Sequence, residues 1–155
     1  MLRIPRPPII LIDNAFHLEI HDGTPLVINY PAWMKRDVTR SRISAYDSAG
    51  QVWTTTLTSQ KHNFLPNFIY LFFLPSRTTP FSVAYSDPEP FEIERLREAI
   101  LHIIGVDMTG LYHQYISEHK LAQRIEAAHN IHRIHEILTT DVYPDKAMQQ
   151  IGTSS

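Results

Sequence analysis

The sequence predicts an α+β fold: an antiparallel sheet of five or six strands (residues about 9–86) followed by two or three C-terminal helices packed on one face. Apolar residues before position 86 follow the two-residue period or the short continuous runs of β-strands, whereas those after it recur at helical spacing. Strands followed by helices, rather than alternating with them, are typical of α+β domains. The 155 residues, 43% hydrophobic and 19% charged, fit one globular domain.

Two hairpins are predicted in the first half of the sheet. The first is predicted over residues 16–30: apolar and polar side chains alternate at 16–21, the turn sequence Asp-Gly-Thr-Pro follows at 22–25, and extended structure resumes at Leu26–Ile28. Residues 43–46 and 52–58 flank a second turn sequence, Asp-Ser-Ala-Gly, and the second arm is rich in β-branched and aromatic residues. We expect the two arms of each pair to be neighbours in the sheet.

Two further strands complete the predicted sheet. The unbroken apolar run Phe68–Leu74 predicts a strand covered on both faces, and therefore a central position. Alternation of Phe81, Val83 and Tyr85 predicts the last strand.

The first helix is predicted over residues 89–104. Asp87 can cap its start, prolines suit its first turn, and an apolar stripe follows until Gly105, which is a typical C-cap. The helical part extends over residues 87–143, and we expect a frayed tail at 144–155.

Residues 111–143 contain neither glycine nor proline, so one long helix is conceivable. However, the apolar stripe changes direction near Ser117, a residue type that caps helices. We favour two helices, about 107–116 and 118–139, and leave the single helix as the alternative.

Composition and motifs exclude several classes of function. The absence of cysteine removes disulfide scaffolds, thiolate metal sites and cysteine nucleophiles. The longest apolar run is far shorter than the roughly 20 residues that cross a bilayer, and no secretory leader pattern is present. We therefore expect a soluble cytoplasmic protein with no membrane partner. Glycine-rich phosphate loops and the Gly-x-Ser-x-Gly elbow are also absent, so an enzyme is not the favoured interpretation.

Charge divides at the same place as the predicted secondary structure. Residues 1–86 have eight Lys/Arg and five Asp/Glu, whereas residues 87–155 have six and eleven. The net charge of −2 makes a general nucleic-acid binder unexpected, but a local basic face on the sheet half stays open.

The first candidate site is a possible metal site on one strand. His17, Glu19 and His21 share one face of the predicted strand, and imidazole and carboxylate groups are ligands for divalent transition metals. Such a site would need at least one further ligand. The alternative is the polar face of an amphipathic strand, which requires no cofactor.

The histidine-rich last helix is the second candidate. His129, His132 and Glu136 fall on one side of this helix, because His132 lies three positions after His129 and Glu136 four positions after His132. His135 is nearby. Helical histidine pairs bind metals, but the His-Glu-x-x-His string of metalloproteases is absent. A solvated flank and a pH-sensitive contact are the alternatives.

The third candidate is a basic segment with aromatic neighbours, and its binding residues are Trp33, Lys35, Arg36, Arg40, Arg42 and Tyr46. Arginine and aromatic side chains dominate protein-binding hot spots. Basic and aromatic groups also bind single-stranded nucleic acid or other anions. A charged strand edge that prevents aggregation is the alternative.

The leading hypothesis is therefore a non-catalytic binding or adaptor domain that acts through protein–protein contacts, including self-association through the C-terminal helices. A small metal-dependent enzyme, perhaps a hydrolase, that uses His17, Glu19 and His21 is the second hypothesis. Anion or nucleic-acid binding through residues 35–42 is the third.

Overall fold

The structure is a computed structural model that describes residues 3–13, 17–31, 42–59, 78–107 and 109–145. In these ranges the chain forms an antiparallel, curled sheet followed by helices, which confirms the predicted α+β class. The strands are β1 (Ile9–Asp13), β2 (Leu18–His21), β3 (Val27–Pro31), β4 (Ile43–Tyr46), β5 (Gln51–Ser59), β6 (Thr78–Tyr85) and β7 (Glu89–Pro90). The helices are α1 (Ile93–Val106), α2 (Glu118–Glu126) and α3 (Ile131–Ile137), with a 3₁₀ turn at Leu111–His113 and a π-helical turn at Leu138–Val142.

The strand order is β2-β1-β4-β5-β6-β3, with β7 paired to the start of β5. The hairpin predicted from 43–46 and 52–58 is confirmed as β4 and β5. The predicted strand around Phe81 is confirmed as part of β6. The predicted strand Phe68–Leu74 lies outside the described residues.

The hairpin predicted over residues 16–30 is wrong, because β2 and β3 lie at opposite edges of the sheet. β2 pairs with β1, with Ile10 opposite Ile20 and Ile12 opposite Leu18. The residues after β2 are bonded to β6: the Tyr85 hydroxyl donates to the Pro25 carbonyl, and the Val83 N–H donates to the Leu26 carbonyl. These bonds bring β3 to β6 instead.

The curled sheet separates two apolar clusters. On β1, Ile10 faces the helices, whereas Ile9 and Leu11 face the opposite side, and all three are buried. This double burial explains why the run Ile9–Ile12 shows no polar alternation. The helix-facing cluster joins β1, β2 and β4 to the three helices, and the inner cluster joins β1, β3, β4, β5 and β6.

Helix α1 begins four residues later than predicted. Glu89 and Pro90 pair with β5, and the Phe91 N–H donates to the Gly50 carbonyl, so the chain is still extended there. The ring of Phe91 meets Tyr46 edge-on at 4.9 Å between centroids. The helix then continues through Gly105 to Val106, so Gly105 is not its C-cap.

The predicted helix 118–139 is two helices. Ser117 caps α2 as expected, since its hydroxyl accepts from the Lys120 N–H. The chain then breaks before Asn130, whose side chain accepts from the Arg133 N–H at 2.8 Å and caps α3. Of residues 107–116, which were predicted as a helix, those that the structure describes contain only the 3₁₀ turn Leu111–His113. None of the described helices is long and apolar enough to cross a membrane.

Arg97 on α1 stabilises the break between α2 and α3. Its guanidinium donates to the carbonyls of Glu126 and Ala128, at 2.6 and 3.3 Å, and to the Glu94 carboxylate at 3.0 Å. The last carbonyls of a helix have no intrahelical partner, so this arginine supplies the missing donors. A side chain on another helix therefore ends α2 without glycine or proline.

Two tyrosines cover the outer edge of β2. Tyr112 accepts a hydrogen bond from the Leu18 N–H at 3.0 Å, and Tyr143 donates its hydroxyl to the Leu18 carbonyl. Burial raises the pKa of both phenols, so both remain neutral donors and acceptors well above neutral pH. An edge strand presents backbone groups that invite pairing with other chains, and here those of Leu18 are occupied.

We predict that Tyr112→Phe and Tyr143→Phe each lower the free energy of unfolding by about 1–2 kcal/mol, because each leaves one backbone group of the buried Leu18 without its partner. Urea denaturation measures the change. Tyr115→Phe is the matched control, since Tyr115 is 61% exposed and its variant should unfold like the wild type. Equal stability of all three variants would contradict the assigned role.

Candidate binding groove

A groove of about 680 Å³ lies where the N-terminal segment crosses the end of the sheet. One wall is residues 3–7, and the other parts are Thr24, Ala49, Gln51, Asp47 and Trp53. Its volume falls within the roughly 300–1,000 Å³ typical of ligand sites.

Asp47 and Trp53 form the floor of the groove, and both are almost fully buried. One Asp47 oxygen, Oδ1, accepts from the N–H groups of Ala49 and Gln51 at 3.0 and 2.9 Å. The other, Oδ2, accepts from the Arg6 N–H at 3.1 Å and from the Trp53 indole at 3.0 Å. The carboxylate is thus occupied by four protein donors, which compensate for its burial.

The N-terminal wall is fixed through its backbone. The Arg6 carbonyl accepts from the Ser48 N–H at 3.0 Å and from the Ser48 hydroxyl at 3.1 Å. The Pro5 carbonyl accepts from the Thr24 hydroxyl at 2.8 Å. Because these bonds use main-chain groups of the wall, its side chains are left to face solvent: Arg3, Ile4 and Arg6 are all exposed.

The strand face predicted as a metal site brings the Glu19 carboxylate close to both histidine rings. Glu19 lies between the two histidines: His17 Nδ1 is 3.6 Å from its Oε1, and His21 Nε2 is 3.2 Å from its Oε2. Within the described ranges no three His, Asp or Glu side chains are arranged to hold a metal ion. Leu18 and Ile20 face the helices as the alternation predicts, so this polar face points away from them.

The histidines of the last helix do not form one cluster. His129 precedes the cap of α3 and, like His132 and Glu136, is exposed. Glu136 pairs with Arg133 at 2.6 Å. His135 instead lies 3.3 Å from the Asp22 carboxylate, in the turn after β2, and thereby connects α3 to the sheet.

The basic segment is only partly within the described residues. Trp33, Lys35, Arg36 and Arg40 lie outside them. Arg42 is exposed and precedes β4, at the opposite end of that strand from Asp47. Tyr46 is 6% exposed and packs in the helix-facing cluster, so its ring has little surface to offer a ligand.

Sequence reasoning missed the groove residues Arg3, Arg6, Asp47 and Trp53. Asp47 was predicted only as a turn residue, and no site was predicted from the sequence Arg-Ile-Pro-Arg-Pro-Pro at 3–8. The available signal was an aspartate at the first position of a tight turn, six residues before a tryptophan in a strand rich in β-branched residues. That spacing permits an indole–carboxylate hydrogen bond across the two arms of a hairpin.

Comparison of the chain with protein-family models, curated proteins and solved structures gave no match. The interpretation of the groove therefore depends on its own geometry and chemistry.

We predict that Asp47→Asn destabilises the chain by about 2–4 kcal/mol. An amide has one acceptor oxygen, so one pair of the four donors, either Ala49 with Gln51 or Arg6 with Trp53, would face an NH₂ group. Urea denaturation followed by tryptophan fluorescence measures this loss. Asp87→Asn, at an exposed position, is the control that should leave the midpoint unchanged.

Proposed function

We propose that this chain is a non-catalytic binding or adaptor domain that acts through protein–protein contacts. The observation that carries the proposal is the groove beside the N-terminal segment. Its wall presents exposed apolar and arginine side chains, and its floor offers no reactive group. Its single carboxylate, Asp47, already accepts four hydrogen bonds from the protein. General acid–base or nucleophilic chemistry requires a group that can reach a substrate, and Asp47 is not such a group.

The rim of the groove supports the same proposal. Ile4, in the wall of the groove, is 46% exposed, and Leu26 and Val27, which follow the groove residue Thr24 along the chain, are 60% and 46% exposed. The hydrogen bond between Thr24 and Pro5 holds their two chain segments together. Exposed apolar side chains bordered by polar ones mark surfaces that bind other proteins, and arginine is enriched at the centres of such surfaces.

Self-association through the C-terminal helices is part of the proposal. Val106, Leu111 and Tyr115 are each more than 40% exposed and lie around the end of α1 and the 3₁₀ turn. In the proposed self-association, these side chains would form the contact between the helical parts of two copies of the chain.

We expect Trp33→Ala and Arg40→Glu to reduce recovery of the protein partner severalfold, because both change side chains typical of binding hot spots. Affinity isolation from cells that express the chain, followed by titration of the purified partner, measures the loss. Lys120→Ala, on an exposed face of α2, is the control. The melting temperature of all three variants should stay within about 2 °C of the wild-type value. Partner recovery at wild-type strength by both variants would remove this segment from the proposal.

The second candidate function is a small metal-dependent enzyme, perhaps a hydrolase, and the position of Glu19 between His17 and His21 is the observation that favours it. A bound metal would acidify water there. We expect less than about 0.1 metal ion per chain by elemental analysis of protein purified without a histidine tag. The reason is that the described residues contain no group of three His, Asp or Glu side chains arranged to hold a metal ion. One equivalent of metal that disappears in His21→Ala, together with a thermal shift on adding zinc, would establish the enzyme interpretation instead.

Anion binding through Lys35, Arg36, Arg40 and Arg42 stays a prediction. It requires affinity that falls steeply with salt concentration, since phosphate contacts release counterions.

A further inference from the structure

We propose that the groove beside the N-terminal segment binds an acidic, extended peptide segment of a partner protein. This inference deepens the proposed protein-binding function and rests on it. It concerns residues distinct from the Trp33–Arg42 segment, so the two can fail separately.

The charge of the groove selects an anionic partner. Of the three charged residues that line it, Arg3 and Arg6 are exposed, whereas the Asp47 carboxylate points into the protein and is surrounded by its four donors. Among the described residues, no carboxylate forms an ion pair with either guanidinium. The two arginines are therefore available to pair with carboxylates, which they bind in a bidentate geometry.

The shape of the wall selects an extended segment. Prolines at 5, 7 and 8 fix their own φ near −65° and restrict the preceding residues to extended conformations. In such a chain residues three apart repeat on one side at roughly 9 Å, which agrees with Arg3 and Arg6 both lining the groove. Two carboxylates three positions apart in a polyproline II-like peptide likewise lie on one side, at roughly 9 Å. The exposed Ile4 lies between the arginines and offers an apolar contact to the residues between those carboxylates.

A nucleic acid fits the groove less well than a peptide. Single-stranded nucleic acid is held by bases stacked on exposed aromatic faces. The aromatic residue that lines this groove, Trp53, is only 3% exposed, its indole N–H is bonded to Asp47, and its ring meets Tyr85 edge-on. Arginine binds carboxylate and phosphate alike, so the lack of an exposed aromatic face among the groove residues is what favours a peptide over single-stranded nucleic acid.

The test begins with selection of binders from a random short-peptide library displayed on phage, with the wild-type chain as bait. We expect the selected peptides to be enriched in pairs of Asp or Glu three positions apart. A selected peptide, synthesised with a fluorescent label, should lose at least about tenfold in affinity for an Arg3→Gln/Arg6→Gln variant by fluorescence anisotropy, because two charge-assisted contacts are removed. This variant should fold normally, since the bonds that fix Arg6 use its backbone.

Two further measurements locate the binding. The chain has two tryptophans, so the Trp53 indole N–H signal is assigned in NMR spectra by comparison with Trp33→Phe. It should shift when the acidic peptide is added and not when the glutamine version of that peptide is added. Lys120→Gln/Arg133→Gln, which removes two exposed cationic groups from the helices, is the charge-matched control and should bind like the wild type.

Three outcomes overturn the inference. Selected peptides without acidic enrichment that still shift Trp53 show that the groove binds apolar segments, and the protein-binding function then stands without acidic specificity. Binding of oligouridylate that is tighter than peptide binding and is lost in the double arginine variant assigns the groove to nucleic acid. No shift of Trp53 with any selected peptide removes the groove, and the protein-binding proposal then depends on the Trp33 and Arg40 variants alone.

Discussion

The buried Asp47 carboxylate joins three parts of the chain that would otherwise meet only loosely. Through its four hydrogen bonds it closes the β4–β5 turn, orients the Trp53 ring in the inner cluster and anchors the N-terminal segment at Arg6. A buried ionised group is stable only when donors surround it, so the turn and the N-terminal segment must both be in place. Together with the bonds from Ser48 to the Arg6 carbonyl and from Thr24 to the Pro5 carbonyl, this side chain holds the wall of the groove against its floor.

Local patterns determined the parts of the fold that depend on neighbours in sequence. Three features follow from residues that are close together in sequence, and all three were predicted: the β4–β5 hairpin, the apolar stripe of α1 and the Ser117 cap. The errors arose from distant contacts. β2 and β3 were assigned to one hairpin because the turn at residues 22–25 has suitable chemistry, but hydrogen bonds from β6 hold the following residues. The end of α2 depends on Arg97, which lies 29 residues before the carbonyl of Glu126.

The candidate site was less predictable than the fold, for a physical reason. A groove is formed by segments that are remote in sequence, here residues 3–7, Thr24 and the β4–β5 turn, and no periodic pattern reports that they meet. The strand triplet His17, Glu19 and His21 was predictable as a shared face because alternation alone defines it. Whether such a face binds metal depends on residues from other elements, and these are not encoded in its spacing.

The position of β3 has a consequence for the order in which the chain can fold. β3 pairs with β6 through partners such as Val27 and Ser82, which are 55 positions apart, and its neighbour in sequence, β2, is at the far edge. The sheet therefore cannot be completed from local hairpins, and β3 must wait for β6, which follows both β4 and β5 in the chain. During synthesis, β3 leaves the ribosome long before β6 and presents the backbone groups of Ile28 unpaired until then. Its short length and the proline at position 31 limit the risk of aggregation in that interval.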